Sequence, residues 1–319
     1  MNNNLPPCLI IAFSRPDGVS RLIESAASAG VTKIYLAIDG QKSENIEMRR
    51  SFSILIEKSK TNVNLEIVAW FREENLGTQI SVITALDWFF SKEKSGIILE
   101  DDLLPSTYFF TFAASGLKHF ETDQSVWLIS GNQYFCENEL IGRNHWATYP
   151  LIWGWATWAD KWISMREEML KGKIRWRSGV RRASIGFWTA GYRRANYGEV
   201  ESWAILLAAQ MHALGRYCLL PGQNLVTNNG FDDVAIHTRE ARWPMNVPVS
   251  DEWTENKFEK DEINEIANVI DRKIEDSIYG IQRKHQFLPL AEKFKIMKMI
   301  RKPNKSSVSE RISRIRIPT

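Results

Sequence analysis

Three consecutive acidic residues, Glu100, Asp101 and Asp102, directly follow a short apolar run at 96–99. A short apolar run bounded by other residue types is typical of a buried strand. The carboxylates then emerge at the carboxyl end of that strand, where open α/β sheets bind their ligands. Mg²⁺ and Mn²⁺ prefer oxygen ligands and are commonly held by carboxylates together with substrate phosphates. The tripeptide therefore predicts a divalent-metal site, and the alternative is an acidic turn that caps a helix starting near Ser106.

Strand-like and helix-like patterns alternate in the amino-terminal part of the chain. Apolar, β-branched segments lie at 7–13, 33–38, 64–70 and 96–99, with helical periodicity between them. This alternation predicts a parallel sheet whose loops meet at the carboxyl edge of the strands. The predicted fold class is α/β, with a mostly parallel sheet flanked by helices and a C-terminal helical extension.

The loop after the first strand, Ser14 to Gly18, contains neither the G-x-G-x-x-G pattern nor a P-loop lysine motif. A nucleotide bound at this edge would have to be held by carboxylates, an arginine and a metal ion. The missing glycine pattern disfavours a dinucleotide-binding Rossmann site.

Composition constrains the domain organisation and the compartment. The chain of 319 residues is long enough for one large α/β domain. We predict a catalytic domain over 1–240, with a donor half at about 1–130 and an acceptor half at about 131–240, and an extension over 241–319. The three widely spaced cysteines disfavour a disulfide framework, and no secretory signal pattern is found, so a cytoplasmic protein is predicted.

A basic, partly apolar tail closes the extension. From Lys293 to Arg316 there are nine Lys or Arg residues and one Glu, interleaved with Ile, Met and Phe. Such a tail either contacts an anionic membrane surface or is a solvated basic segment. No nucleic-acid-binding motif accompanies the charge, so nucleic acid is not a predicted partner.

Five of the 13 tryptophans lie between 144 and 162, with Trp153 and Trp155 separated by Gly154. Alternation predicts that both of these rings lie on one face of a strand. The cluster either packs as a core or forms the wall of a saccharide groove. Further along, the Arg-, Gly- and Trp-rich segment 171–194 is predicted to cover the site.

Together, these segments resemble the GT-A-fold glycosyltransferases. Within them, the chain is similar to bacterial surface-polysaccharide transferases related to the animal enzyme that adds N-acetylglucosamine to the first mannose arm of N-glycans. The resemblance covers roughly 7–238. It rests on Phe13-Ser14-Arg15-Pro16, Asp39-Gly40, Glu74-Asn75-Leu76-Gly77, Glu100-Asp101-Asp102-Leu103, Trp153-Gly154-Trp155-Ala156-Thr157-Trp158, Glu201-Ser202-Trp203-Ala204-Ile205, and Pro221-Gly222 followed by 228–237.

The resemblance implies roles for the residues that would hold a nucleotide-sugar donor and its Mn²⁺ or Mg²⁺ ion. These are Asp102 as the metal ligand, Glu100 and Asp101 facing the ribose and base, Arg15 and Asp39 at the nucleoside, and Gly77 among the donor contacts. His237 is implied as a second metal ligand or a donor to the diphosphate, and the alternative is a structural histidine.

The resemblance also implies a catalytic base. Where the family has an Asp before Ser-Trp, this chain has Glu201, whose extra methylene lengthens the reach by about 1.5 Å. Glu199 is the alternative base.

The predicted function is therefore a metal-dependent, inverting transferase that moves a sugar from a nucleoside-diphosphate donor, such as a UDP-sugar, to a saccharide acceptor. The resemblance places it in bacterial surface polysaccharide or lipopolysaccharide synthesis. The basic tail motivates the further prediction of a lipid-linked acceptor at the inner face of the inner membrane. Two alternatives remain: a sugar nucleotidyltransferase and a non-catalytic saccharide-binding protein.

Overall fold

The structure is a computed structural model. It describes residues 5–40, 46–59, 64–135, 143–230, 247–250, 258, 263–287 and 306–318. None of the helices in these ranges is both long enough and apolar enough to span a bilayer.

The described residues contain ten strands. They are β1 (Cys8–Ala12), β2 (Lys33–Ile38), β3 (Glu66–Phe71), β4 (Ser95–Glu100), β5 (Leu103–Pro105), β6 (Val126–Ser130), β7 (His145–Ala147), β8 (Trp155–Trp158), β9 (Tyr217–Leu220) and β10 (Val226–Asn228). The α-helices are α1 (Pro16–Ala29), α2 (Ile46–Ser59), α3 (Gly77–Phe90), α4 (Thr107–His119), α5 (Ala159–Leu170), α6 (Arg182–Asn196), α7 (Trp203–Leu214), α8 (Ile263–Ser277) and α9 (Val308–Ile312).

Eight strands form the main sheet in the order β3-β2-β1-β4-β8-β6-β9-β7, and β5 pairs with β10 in a small second sheet. The pairs β1–β2, β2–β3, β1–β4 and β6–β9 are parallel. Strand β8 is antiparallel to both of its neighbours, and β7 is antiparallel to β9. Every strand of the main sheet except β7 and β8 therefore runs in one direction, which confirms the predicted α/β class with a mostly parallel sheet.

Helices cover both faces of this sheet. Along β1, Leu9 and Ile11 point into one buried cluster, while Cys8, Ile10 and Ala12 point into the other. This division follows from the alternation of side chains along a strand. A strand buried on both faces is continuously apolar, which is why β1 was recognisable from its sequence.

The tryptophan cluster is mostly core. Trp146, Trp155, Trp158 and Trp162 are all buried, whereas Trp153 is only partly buried. The prediction that Trp153 and Trp155 share a strand face is wrong. Strand β8 begins at Trp155, and Gly154 has a φ of +63° that turns the chain between the two rings.

The segment 171–194 was predicted to cover the site, but most of it forms α6. Ala183, Trp188 and Tyr192 on this helix are buried in the core. The arginines at both ends of the helix and the cations that precede it obscured this apolar face in the sequence.

Buried polar contacts attach α8 to the rest of the molecule. The carboxylate of Asp271 accepts hydrogen bonds from the backbone N–H of Thr148 (2.8 Å) and from its hydroxyl (2.5 Å). That hydroxyl also lies 2.6 Å from Nδ1 of His212, whose ring stacks on Tyr149 at 4.2 Å. One turn along α8, Glu275 accepts from three donors: the Tyr149 hydroxyl, the Ser184 hydroxyl and the Arg181 guanidinium. The predicted domain boundary at 240 lies outside the described residues and stays a prediction.

Burial shifts the pKa values of two groups in this cluster, that of Asp271 upward and that of His212 downward. Burial, reinforced by the charge of Glu275, raises the pKa of Asp271 to about 7, although the Thr148 hydrogen bonds and Arg177 oppose the shift. Burial, followed by the charge of Arg177, lowers the pKa of His212 to about 3. Between about pH 3.8 and pH 7, folding therefore takes up a proton at Asp271, and between about pH 3 and pH 6.5 it releases a proton at His212.

Between about pH 4 and pH 6.5, the contribution of Asp271 to the free energy of unfolding falls with rising pH, and the contribution of His212 rises. The two contributions are therefore expected to cancel. Replacing His212 with Phe keeps a ring against Tyr149 and removes the contribution of His212, so that only that of Asp271 remains. Relative to wild type, its free energy of unfolding should fall with rising pH by up to about 1.4 kcal/mol per unit. Urea titrations at several pH values measure this slope, and Asp271→Asn should show the opposite slope. Parallel curves for all three proteins would contradict the assignment.

The described end of the tail packs on the protein. Val308 and Ile312 of α9 are buried, and Ile315 and Ile317 pack against the same core cluster as α3. Within 306–318, these apolar side chains thus pack against the fold, while Arg314 is exposed. Residues 288–305 of the tail lie outside the described residues.

Candidate functional site

A cleft of about 330 Å³ opens at the carboxyl edge of the sheet. The loops after β1, β2 and β4 meet there with the starts of α3 and α7 and the end of β10. Its walls include Ser14, Arg15, Asp39, Asn75, Gly77, Thr78, Ser81, Glu100, Asp101, Asp102, Ile152, Trp153, Glu201, Ser202, Trp203, Asn228 and Gly230. The structure thus brings together seven of the eight predicted site residues, and the eighth, His237, lies outside the described residues.

Asp101 ties the acidic tripeptide to the loop after β1. Its Oδ2 accepts a hydrogen bond from the backbone N–H of Phe13 at 2.9 Å, and Oδ1 lies 3.8 Å from the Arg15 guanidinium. Burial raises the pKa of Asp101 to about 6, with a further contribution from the charge of Asp102, while the Phe13 N–H and Arg15 oppose it. Asp101 and Arg15 are therefore held together as one wall of the cleft.

Glu100 is the last residue of β4 and is partly accessible from the cleft. Desolvation raises its pKa to about 8, and the charges of Asp102 and Asp101 contribute to this shift. The tripeptide is consequently a cluster of carboxyl groups that disfavour one another's ionisation, and a bound cation would favour their ionised forms.

Asp102 faces the small second sheet. Its Oδ2 accepts from the Asn228 side-chain amide at 3.2 Å, and its backbone carbonyl accepts from Asn229 at 2.8 Å. The alternative that the tripeptide caps a helix is wrong, because β5 intervenes and Ser106 occupies the N-cap position of α4.

The carboxylate oxygens of the acidic tripeptide are the type of ligand that a hard divalent cation prefers. Both aspartates accept hydrogen bonds, Asp101 from the Phe13 N–H and Asp102 from the Asn228 amide, and both carboxylates line the cleft. In the part of the chain that the structure describes, no group of three or more His, Cys, Asp and Glu side chains is arranged to hold a metal. Mg²⁺ bound at phosphates usually takes one or two carboxylates together with substrate oxygens, and the tripeptide offers such carboxylates.

Asp39 is buried at the end of β2 and is held by the loop before α3. Its Oδ1 accepts from the Leu76 N–H at 3.2 Å and lies 3.9 Å from Arg72. Burial raises the pKa of Asp39, opposed by the Leu76 N–H and by Arg72. The side-chain amide of Asn75 donates to the Gly40 carbonyl at 2.8 Å, which joins the two loops.

Arg72 was not predicted as a site residue. It is buried, stacks on Trp70 with its guanidinium carbon 4.2 Å from the ring centroid, and donates to the Ser81 and Thr84 side chains. Burial lowers its pKa to about 10, which leaves it charged at neutral pH. Arg72 therefore pairs with Asp39 without lining the cleft itself. In the sequence, the only indication of this role is an arginine directly after an apolar strand.

Gly77 and Glu201 meet across the cleft. Gly77 begins α3 with a φ of +73°, and a Cβ atom built on it would lie 1.7 Å from Oε1 of Glu201. The carboxylate thus rests in space that only glycine leaves open.

A Gly77→Ala variant should displace the Glu201 carboxylate and lower turnover by roughly 10- to 100-fold. The alanine also costs about 1–2 kcal/mol at this left-handed φ. Gly172→Ala is the matched control, because Gly172 has a φ of +70° and nothing within 4 Å of the added Cβ. Thermal unfolding should show a similar loss of stability in both variants, whereas the steady-state rate should fall only in Gly77→Ala. Equal turnover of the two variants would contradict the contact.

The two candidate bases have different surroundings. Glu201 lies on the cleft wall directly before Ser202, which caps α7 by accepting from the Ile205 N–H. Glu199 does not line the cleft, and its Oε2 pairs with Nε of Arg194 at 3.1 Å. The geometry favours Glu201 as the residue that meets a substrate.

No protein-family model matches the sequence, and no curated protein matches it. Among solved structures, it is similar to HddC from Yersinia pseudotuberculosis, with 18% identity and a TM-score of 0.27 over 39% of this chain and 57% of HddC. HddC complexed with GMP-PN gives 16% identity and a TM-score of 0.27 over 40% of this chain and 60% of HddC.

A further similar structure is the mannosyltransferase PcManGT from Pyrobaculum calidifontis in complex with GDP-Man and Mn²⁺. It shares 10% identity and a TM-score of 0.39, over 67% of this chain and 70% of PcManGT. TM-scores this low do not establish a shared family. The function of this chain therefore rests on its own site.

Proposed function

We propose that this protein is a metal-dependent, inverting glycosyltransferase that moves a sugar from a nucleoside diphosphate to a saccharide hydroxyl. One observation carries the proposal: a single cleft holds an acidic strand end and, on its other side, a carboxylate at the start of a helix. The first suits a diphosphate with its cation, and the second suits a general base.

On the donor side, Asp39 and the pair formed by Arg15 and Asp101 line the part of the cleft that would hold the nucleoside. Asp102 would hold the Mn²⁺ or Mg²⁺ ion. When bound, such an ion offsets the negative charge that develops on the diphosphate leaving group.

On the acceptor side, Glu201 takes the proton from the attacking hydroxyl. The acceptor oxygen then forms the new bond to the anomeric carbon, and the bond from that carbon to the diphosphate oxygen breaks with its electron pair leaving on the nucleotide. A single in-line displacement of this kind inverts the anomeric centre. Trp153, the tryptophan of the cluster that remains accessible at the cleft, offers its ring to the acceptor or donor sugar.

The proposed acceptor is a saccharide that is carried on a lipid. The described tail supports this part only through charge, since Arg314 and Arg316 point outward while the neighbouring isoleucines pack inward. A role in surface polysaccharide synthesis at the cytoplasmic membrane face belongs to the same proposal.

The test is calorimetric titration with UDP and GDP, each with and without Mn²⁺, followed by a screen of the corresponding nucleotide sugars for metal-dependent hydrolysis. We expect at least one diphosphate to bind more tightly with Mn²⁺. If neither nucleotide binds under any condition, the proposal fails and a saccharide-binding protein becomes the better account.

A further inference from the structure

A buried glutamine connects the start of α3 to the loop that carries Glu201. Gln79 is fully buried, and its Nε2 donates to the backbone carbonyls of Ala195 (3.3 Å) and Ser202 (3.1 Å). Because both acceptors are carbonyl oxygens, the amide must present its nitrogen to them. One side chain therefore spans the two ends of the loop.

The loop between these carbonyls joins the end of α6 to the start of α7. It places Glu201 immediately before Ser202, whose hydroxyl caps α7 through the Ile205 N–H at 3.4 Å. Ser202 is thus held on two sides, by α7 through its hydroxyl and by Gln79 through its carbonyl. The backbone directly after Glu201 is therefore anchored.

The first turn of α3 contacts this loop twice. Gly77 provides the space for the Glu201 carboxylate, and Gln79, two residues later, fixes the backbone just beyond it. The position of Glu201 relative to the cleft is therefore set by one rigid helical turn.

We propose that Gln79 is a positioning residue, which holds the 196–202 loop so that the Glu201 carboxylate stays against Gly77 and faces the cleft. The consequence for catalysis rests on the proposed function of Glu201. The hold on the loop itself does not, because it follows from the two hydrogen bonds. Removing the amide leaves two carbonyls without this donor, and a displacement of about 1 Å at a catalytic group costs roughly 100-fold in rate.

The test compares Gln79→Met with a matched control, Gln210→Met. Gln210 is also buried, and its Nε2 also donates to two backbone carbonyls, those of Glu168 (2.7 Å) and Lys173 (2.9 Å). It lies on α7 and does not line the cleft. Each variant loses a buried amide that donates to two backbone carbonyls, so any general loss of stability should be similar in the two.

Hydrogen exchange gives the first measurement. The amides of Glu199, Val200 and Ser202 are hydrogen-bonded to carbonyls near or within the loop. In Gln79→Met, these amides should exchange about tenfold faster than in wild type, whereas Gln210→Met should leave them unchanged. Unchanged exchange in Gln79→Met would overturn the proposal, whatever the activity of the protein.

Kinetics give the second measurement. Gln79→Met should lower kcat by roughly 10- to 100-fold with donor affinity within about twofold of wild type, and Gln210→Met should change neither. In a Glu201→Gln background, the Gln79 substitution should have little further effect on the residual rate, since it acts through the missing carboxylate. Multiplicative losses would overturn the proposal. If the wild type shows no donor binding, the proposed function fails while the exchange result still decides the role of Gln79.

A variant that keeps the amide covers the case in which Gln79→Met does not fold. Gln79→Asn retains the donor on a side chain that is shorter by one methylene, so it reaches at most one of the two carbonyls. We expect exchange and kcat between those of wild type and Gln79→Met. Wild-type values for both would overturn the proposal.

Discussion

Replacing Glu201 with glutamine should reduce sugar transfer by about 10²- to 10⁴-fold and leave donor affinity within about twofold of wild type. The amide has nearly the same shape, so it still fits against Gly77, but it cannot accept the proton of the attacking hydroxyl. Steady-state transfer assays and calorimetry with the nucleotide separate these two effects. A loss that appeared only in donor affinity would assign Glu201 to binding.

Glu199→Gln is the matched control for this experiment. Glu199 lies two residues earlier on the same loop, but it pairs with Arg194 and does not line the cleft. Its variant should transfer sugar at close to the wild-type rate. If Glu199→Gln were the inactive variant and Glu201→Gln the active one, the base would be Glu199.

Replacing Asp102 with asparagine should remove the part of nucleotide affinity that depends on Mn²⁺. The loss should exceed the roughly 10- to 100-fold that removal of an outer-shell partner costs at metal sites. The Asn228 amide still finds a carbonyl oxygen at this position, so the link between β5 and β10 should persist. Calorimetric titration of UDP with and without Mn²⁺ measures the difference.

Affinity without the metal should be equal in wild type and Asp102→Asn. The control is Asp160→Asn, which changes an exposed aspartate in the first turn of α5. It should preserve the effect of Mn²⁺ in full. An Asp102→Asn protein that still responds to Mn²⁺ as wild type does would remove Asp102 from the metal site.

Local sequence signals were sufficient for the amino-terminal half of the sheet. The segments at 33–38 and 96–99 have continuous apolar runs because their strands are buried on both faces. The loops after such parallel strands must meet at one edge, so the sequence alone was enough to group Arg15, Asp39 and the acidic tripeptide.

The same signals were weaker beyond residue 130. Strands β7, β8 and β10 are only three or four residues long, too short for a period of two to stand out. Gly154 turns the chain so that Trp153 does not share a strand face with Trp155, and the cations at the two ends of α6 hide its apolar face. Nothing in the sequence indicated the contact between Asn228 and Asp102, because the two residues are 126 positions apart.

By itself, the sequence determined the α/β class, the edge of the sheet at which the cleft opens, and the acidic residues that line it there. These depend on short-range periodicity and on the rule that parallel strands share a carboxyl edge. Tertiary structure decided which of two nearby glutamates faces the cleft, and it revealed Gln79 and Arg72 behind the site. Such choices depend on contacts between distant segments, and no local pattern records them.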